Sequence, residues 1–325
     1  MKSVSLTLVA AALLASGVAH GQSVKVDGSS TVFPVTEAVA EEFQKANKGV
    51  KVTVGIAGTG GGFKKFCRGE TDISNASRPI LAGEMKACRE AGIQYIELPV
   101  AFDALTVVVH KDSPLKEITI EDMKKMWEPA AQGKVMKWKD ANPAFPDAPL
   151  QLFGPGADSG TFDYFTEAVT GKSKSSRGDF TASEDDNVIV QGVSRSRNAL
   201  GFFGYAYYEE NRDKVKGLHI SWKGSKAVEP SAANVLNGTY QPLSRPIFIY
   251  VNAKSLARPE IRAFAEYYMK HAPKLVAEVK YVPLPAKAYE YNLAALQKGR
   301  VGTKMGGENK VGLTIEQLMT LETKE

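Results

Sequence analysis

The chain has 325 residues, of which 43% are hydrophobic and 24% charged, and its 41 basic and 36 acidic side chains give a formal net charge of +5. A chain of this length exceeds what a single hydrophobic core usually spans, so we expect two lobes. The charge excess is small and no lysine-rich or arginine-rich block occurs, which argues against nucleic-acid binding, although a mild positive field helps to capture an anion.

The first 21 residues have the pattern of a removable secretory signal. Lys2 is followed by an apolar run over 6–15 that is too short to cross a bilayer, and Ala19-His20-Gly21 is a small-x-small cleavage site. No cysteine stands directly after that site, and no later apolar run reaches about 18 residues. We therefore expect the mature protein to start near Gln22, to be exported, and not to be embedded in the membrane.

Strands and helices are predicted to alternate along the chain. Strands at 24–26 and 50–56 enclose an amphipathic helix at 34–47, which is the order typical of a mostly parallel sheet covered by helices. Further strands are expected at 93–98, 105–110, 150–153, 200–204 and 246–251, and further helices at 63–68, 82–91, 120–127, 162–169, 188–193, 259–271 and 287–299. The polar stretch 171–186 is predicted to be a flexible surface excursion.

Two of the predicted strands, at 105–110 and 246–251, are almost continuously apolar and are expected to cross between lobes. We predict that residues 22–107 plus 247–325 form one lobe and that residues 108–246 form a second lobe inserted into it. Two crossings of this kind permit the lobes to close about a hinge on a ligand in the cleft.

Three loops rich in glycine and hydroxyl side chains each lead into a predicted helix: Gly28-Ser29-Ser30-Thr31, Gly58-Thr59-Gly60-Gly61-Gly62 and Gly154-Pro155-Gly156-Ala157-Asp158-Ser159-Gly160-Thr161. Unpaired N–H groups and the helix dipole favour anions at such helix starts. Three together indicate one oxyanion held between two lobes. For each loop taken singly, an ordinary capped helix remains the alternative.

Residues from all three loops and from one strand end are candidates to bind that anion: Ser30, Thr31, Val32, Thr59, Gly60, Ser77, Arg78, Asp158, Ser159, Gly160 and Thr161. Their hydroxyl and amide groups donate hydrogen bonds, and the guanidinium of Arg78 suits bidentate contact to an oxyanion. For Arg78 the alternative is a solvated turn, and for Asp158 it is a cap on its own loop.

Four segments in combination carry a family resemblance: Gly28-Ser29-Ser30-Thr31-Val32-Phe33-Pro34, Gly58-Thr59-Gly60-Gly61-Gly62, Asp72-Ile73-Ser74-Asn75-Ala76-Ser77-Arg78-Pro79 and Gly156-Ala157-Asp158-Ser159-Gly160-Thr161-Phe162. The chain resembles the periplasmic phosphate-binding proteins of ABC-type Pst phosphate transporters over most of its mature length. The resemblance implies a two-lobed α/β fold of the type II periplasmic binding proteins, in which each lobe is a mixed, mostly parallel sheet flanked by helices.

The resemblance also implies a function and a site. It implies a monomer that binds inorganic phosphate in the periplasm, without a cofactor or a metal, and delivers it unchanged to a membrane ABC permease by hinge closure. The positions that match the family's ligand contacts are Ser30, Thr31, Val32, Thr59, Ser77, Ser159, Gly160 and Thr161.

The chain departs from the best-known branch of that family at two positions. There an aspartate accepts a hydrogen bond from the ligand's own proton and an arginine precedes the Ser-Gly-Thr loop, whereas Ser77 and Pro155 stand at these positions here. We hypothesise that Arg78 replaces the guanidinium and that Asp158 replaces the proton acceptor, with Asp103 as second choice. Asp158→Asn is then expected to reduce the preference for phosphate over sulfate.

Cys67 and Cys88 are the only two cysteines, and an oxidising compartment favours a disulfide between them. Such a bridge could add roughly 3 kcal/mol of stability and would clip the segment that carries Ser77 and Arg78. Two reduced, buried cysteines are the alternative.

Other functions find less support in the sequence. The mature histidines are His110, His219 and His271, none of them near a glycine loop, and no metal-ligand spacing or hydrolase elbow occurs. A secreted phosphatase or an adhesion protein is therefore a minor alternative. The main competitor is a binding protein for another tetrahedral oxyanion, such as sulfate, molybdate or tungstate.

Overall fold

The computed structural model describes residues 22–324, so the predicted signal segment 1–21 lies outside the described residues. Within this range no helix is both long enough and apolar enough to cross a membrane.

Thirteen strands occur in the described range: β1 (Gln22–Gly28), β2 (Val50–Val54), β3 (Ile73–Ala76), β4 (Tyr95–Ala104), β5 (Thr106–His110), β6 (Glu117–Thr119), β7 (Gln151–Gly154), β8 (Thr181–Ala182), β9 (Ala199–Phe203), β10 (Val215–Gly217), β11 (His219–Ser221), β12 (Ser244–Asn252) and β13 (Val282–Pro283).

The same range contains twelve α-helices: α1 (Phe33–Ala46), α2 (Gly58–Cys67), α3 (Ala82–Glu90), α4 (Ile120–Trp127), α5 (Trp138–Ala141), α6 (Gly160–Thr170), α7 (Asp186–Arg195), α8 (Tyr205–Glu210), α9 (Ala232–Leu236), α10 (Pro259–Glu278), α11 (Ala286–Lys298) and α12 (Ile315–Thr320).

The strands form two large mixed sheets and one small one. The first sheet has the order β13-β4-β12-β3-β1-β2, the second β10-β5-β9-β7-β8, and β11 pairs with β6. In the first sheet β1 is parallel to β2 and β3, whereas β12 is antiparallel to β3 and β4. The two large sheets are mixed, as the sequence predicts, but they are not mostly parallel, because only four of their nine strand pairs are parallel.

The chain passes from the first sheet to the second at Leu105, between β4 and β5, and returns through β12, which begins at Ser244. β4 and β12 pair along their length and are buried at every residue, which explains why residues 246–251 of β12 read as a continuous apolar run. The lobe boundaries at 108 and 246 stay a prediction, and the change of sheet lies two or three residues before each of them.

The second glycine loop is not a loop, and the prediction that its helix starts at Phe63 is wrong. α2 already begins at Gly58 and includes all four glycines of the run. A Cβ atom added to Gly62 would lie 2.6 Å from the Cα atom of Gly28, so glycine allows this helix to pack directly on β1.

The stretch 171–186 lies at the surface, as predicted, since only Arg177 and Asp186 are buried in it, but it is anchored to the protein. Arg177 is 4% exposed, and its Nη1 donates to the carbonyl groups of Met126 and Val135. The ring of Phe180 packs edge-on against Trp127. One buried arginine therefore holds a segment whose composition is polar.

The predicted disulfide is present between Cys67 and Cys88, which joins the end of α2 to α3. It closes the loop that contains Ser77 and Arg78, as the sequence predicts.

Candidate functional site

The starts of α1, α2 and α6 meet between the two large sheets. Oγ1 of Thr31, just before α1, lies 2.9 Å from Oγ1 of Thr161 at the start of α6. The N–H of Gly60, in the first turn of α2, donates to the carbonyl of Asp158 at 2.7 Å. As at any helix start, the first N–H groups have no carbonyl acceptor in their own helix.

At Gly160 the start of α6 comes closest to the hydroxyl groups on the side of the first sheet. A Cβ atom there would lie 2.5 Å from Oγ1 of Thr59 and 2.8 Å from Oγ of Ser77. These two hydroxyls lie 3.1 Å apart, and the N–H of Ser77 donates to Oγ1 of Thr59. Any side chain at position 160 would keep the two hydroxyls away from the start of α6.

Helix capping explains one of the candidate hydroxyls and not two others. Oγ of Ser159 accepts the N–H of Thr161, so the alternative of an ordinary N-cap applies to it. At α1 the N-cap is Val32, which offers no side-chain oxygen, and the hydroxyls of Ser30 and Thr31 contact the second sheet's elements instead.

Ten of the eleven candidate residues are buried where these helix starts meet: Ser30, Thr31, Val32, Thr59, Gly60, Ser77, Arg78, Ser159, Gly160 and Thr161. The exception is Asp158, whose side chain is 41% exposed and whose Oδ1 accepts from Nζ of Lys64 at 2.8 Å. The structure thus brings its backbone, and not its carboxylate, into the buried cluster.

The guanidinium of Arg78 is occupied by carboxylates. It donates to both oxygens of Glu84 at 2.8 Å and to Oδ2 of Asp163 at 2.7 Å. Burial alone would lower the pKa of Arg78, but Glu84 and Asp163 together raise it. Asp163 lies on α6, so this ion pair connects the Ser77-Arg78 strand end with the opposite sheet's helix.

A second guanidinium reaches the Ser-Gly-Thr loop, and the sequence analysis missed it. Nη2 of Arg245 lies 2.8 Å from Oγ1 of Thr161, and Nη1 lies 3.3 Å from the carbonyl of Gly160. Arg245 is fully buried in β12 and stands opposite Asp103 of β4, whose Oδ2 accepts from its Nε and Nη2 at 3.1 and 2.9 Å. A charged residue beside a continuous apolar strand was the signal that could have found it.

Asp103, the second candidate for the proton acceptor, is therefore the counter-ion of Arg245. Its other oxygen accepts the N–H of Tyr205 at 2.8 Å. Burial raises the pKa of Asp103, while Arg245 and the Tyr205 N–H oppose that rise. Both of its oxygens are engaged by protein donors.

Asp186 is a further buried carboxylate at this place. It is the first residue of α7, whose N-cap is Asp185. Oδ1 of Asp186 accepts from Oγ of Ser30 at 3.3 Å, and Oδ2 has no hydrogen-bond partner among residues 22–324. Burial, together with the charge of Asp103, raises the pKa of Asp186 to about 7.

The donors gathered here suit a tetrahedral oxyanion. Hydroxyls and helix-start N–H groups come from both sides, and one guanidinium is held by a buried carboxylate. Across the described residues 22–324, no group of three or more His, Cys, Asp or Glu side chains could hold a metal ion.

Comparisons with known proteins identify a family model and relatives that match this chain. A model of the PBP superfamily domain matches residues 15–271. Protein SphX of Synechococcus elongatus is 54% identical over 299 residues, which cover 92% of this chain and 88% of SphX. The phosphate-binding protein PstS of Staphylococcus saprophyticus is 41% identical over 278 residues, which cover 84% of each chain.

A solved structure also matches the fold. It is the crystal structure, with bound phosphate, of a candidate phosphate ABC transporter substrate-binding protein from Clostridium perfringens. The two chains are 27% identical with a TM-score of 0.69, and the match covers 81% of this chain and all of the other.

Proposed function

We propose that this chain, which belongs to the PBP superfamily and to the family of SphX and the phosphate-binding protein PstS, binds inorganic phosphate and delivers it to an ABC-type permease. It does so without transforming the phosphate. The observation that carries the proposal is the meeting of three helix starts at Gly160, where hydroxyls of Thr59 and Ser77 lie against the Ser-Gly-Thr loop.

The proposed ligand contacts come from both sheets. Ser30, Thr31, Thr59 and Ser77 belong to elements of the first sheet, and the loop 159–161 belongs to the second. Each side supplies part of the donor set, so only a closed cleft satisfies the four oxygens of phosphate. Charge-assisted hydrogen bonds in that dry site offset the cost of removing the anion from water.

Closure about the two crossings at Leu105 and Ser244 is the proposed working motion. The lobes are those predicted from the sequence, 22–107 plus 247–325 and 108–246. We further propose that the protein acts as a monomer in the periplasm after removal of the signal segment 1–21, and that the permease recognises the closed form.

Calorimetric titration tests the proposal. Protein freed of ligand by unfolding and refolding is titrated with phosphate, arsenate, sulfate and molybdate. We expect tight binding of phosphate and arsenate. Failure to bind phosphate, together with tight binding of sulfate or molybdate, would overturn it in favour of another oxyanion.

A matched pair of variants tests the site. Thr161→Val keeps the side-chain shape but removes the hydroxyl that bonds to Thr31 and Arg245, so phosphate affinity should fall by about tenfold or more. Thr53→Val makes the same change at an exposed position of β2 and should leave the affinity for phosphate unchanged. Equal affinity in both variants would remove Thr161 from the site.

A further inference from the structure

Asp186 presents an unpartnered carboxylate oxygen inside the proposed phosphate site. The side chain is fully buried, Oδ1 accepts from Ser30, and Oδ2 has no partner in the described part of the chain. Ser30 is one of the proposed ligand contacts. A buried acceptor-only group beside an anion site calls for a chemical explanation.

Asp186 has no cation of its own. The side chains that face it, besides Ser30, are Asp103 on β4, Arg245 on β12, Tyr207 on α8 and Tyr281 before β13, and the backbone N–H of Gly204 also faces the carboxylate and favours its ionised form. Arg245 donates twice to Asp103, so this single guanidinium already has a counter-ion.

The two phenols do not supply a positive charge. Burial raises the pKa of both Tyr207 and Tyr281, so both are neutral. The Tyr207 hydroxyl donates to the carbonyl of Ser30, while the Tyr281 hydroxyl has no partner among residues 22–324. The cluster around Asp186 therefore holds two carboxylates and one guanidinium.

A bound oxyanion would add further negative charge to this cluster. An ionised carboxylate facing an anion in a dry site is strongly unfavourable, because neither charge is solvated. One proton between the two groups removes the repulsion and makes a short, charge-assisted hydrogen bond. At neutral pH phosphate carries such a proton and sulfate carries none.

We propose that Asp186 shares one proton with the bound oxyanion: phosphate brings that proton with it, whereas a fully ionised anion such as sulfate binds only when Asp186 takes a proton from solvent. This inference rests on the proposed function, since it concerns the same site. It makes Asp186, and neither Asp158 nor Asp103, the residue that distinguishes the two anions.

The test is competition calorimetry on ligand-free wild-type protein at pH 5.5 and pH 8.5. Sulfate should displace phosphate at least tenfold less effectively at pH 8.5 than at pH 5.5, because Asp186 is ionised at the higher pH. Phosphate affinity itself should change much less. Sulfate that competes equally at both values, or at neither, overturns the inference.

Proton counting gives an independent readout. Titrations at pH 7.5 in two buffers of different ionisation enthalpy should show close to one proton taken up per sulfate and fewer per phosphate. Equal proton uptake for the two anions contradicts the inference.

Asp186→Asn is the matching variant, because an amide donates to any oxyanion at any pH. It should abolish the pH dependence of sulfate competition and lower the phosphate-to-sulfate ratio at pH 8.5 at least tenfold. Asp147→Asn makes the same change in an exposed carboxylate paired with Lys137 and Lys139, and should leave the ratio within twofold.

The outcomes separate the two proposals. Asp186→Asn protein with the wild-type pH profile overturns the inference while the proposed function stands. Wild-type protein that binds no phosphate overturns the proposed function itself. Should the variant not fold, the pH profile and the proton count of the wild type decide the inference alone.

Discussion

Nη2 of Arg245 lies 2.8 Å from Oγ1 of Thr161, so a guanidinium on the strand that returns to the first sheet reaches the start of a helix that covers the second. Arg245 is held by Asp103 on the neighbouring strand β4. The buried pair of Arg245 and Asp103 thus lies beside the point where the chain crosses between the sheets. We therefore expect Arg245 to affect both the proposed closure and the proposed anion binding.

Arg245→Lys is expected to weaken phosphate binding about tenfold or more. Lysine keeps the charge but lacks the fork that reaches Asp103 and Thr161 together. Calorimetric titration measures the change. Arg262→Lys, an exposed position on α10, is the control and should bind as the wild type does.

Arg245→Met separates binding from stability. It leaves Asp103 buried without its partner, so the free energy of unfolding should fall by about 3–5 kcal/mol in denaturant titrations. An unchanged free energy of unfolding would show that Arg245 and Asp103 do not form an ion pair in solution.

Gly160→Ala should weaken phosphate binding by interfering with closure. The added Cβ atom would lie 2.5 Å from Oγ1 of Thr59 and 2.8 Å from Oγ of Ser77, and relieving such overlap costs about 1–3 kcal/mol, which is about 5- to 150-fold in affinity. Gly83→Ala is the control, because a Cβ there meets nothing within 4 Å. Equal affinity for the two variants would contradict close approach at position 160.

Asp158→Asn should leave the ratio of phosphate to sulfate affinity within about twofold. Its carboxylate is 41% exposed and pairs with Lys64, and exposed pairs of this kind contribute about 0–1 kcal/mol. Competition calorimetry measures the ratio. A selective loss of phosphate preference would support the sequence-based hypothesis that Asp158 accepts the ligand's proton, and would count against Asp186.

The stability of the ligand-free protein should depend on pH through Asp186. Burial and the charge of Asp103 raise the pKa of this group from 3.8 to about 7. The folded state therefore holds a proton that the unfolded state releases between about pH 4 and 7, so its contribution to stability falls as pH rises through that window.

Asp186→Asn removes this dependence. Its stability relative to wild type should rise by up to about 4 kcal/mol between pH 4 and pH 7 and stay level above, as measured by denaturant unfolding. Asp147→Asn should follow the wild-type curve. Parallel curves for wild type and Asp186→Asn would show that Asp186 titrates as an ordinary carboxyl group.

The helices and strands of this chain follow from local patterns. Apolar continuity located β5 and β12 to within two residues, whereas the strand predicted at 93–98 covers only the first part of β4, which continues to Ala104. The prediction of a loop over the glycine run 58–62 was wrong for a physical reason. Helix propensity disfavours Gly58–Gly62, but contact of Gly62 with Gly28 outweighs it.

Some polar residues of the candidate site can be recognised in the sequence, and others cannot. Ser159, Gly160 and Thr161 stand out in the sequence because glycine between two hydroxyl residues is an uncommon helix start, and the structure buries all three. Arg245 and Asp186 are harder to find: Arg245 is marked only by the apolar strand that follows it, and Asp186 is one of three successive acidic residues, 184–186. Their importance comes from partners more than 80 residues away along the chain.

By itself the sequence determined the fold class, the disulfide between Cys67 and Cys88, and the family to which three hydroxyl-rich helix starts belong. How the charges are matched within residues 22–324 depends on the tertiary structure: Arg78 pairs with Glu84 and Asp163, Arg245 pairs with Asp103, and Asp186 forms no salt bridge. The reason is that periodicity and motifs are local, whereas the partner of a buried charge is chosen by packing between distant segments. Whether a buried charge is stabilised depends on the partner that this packing brings to it.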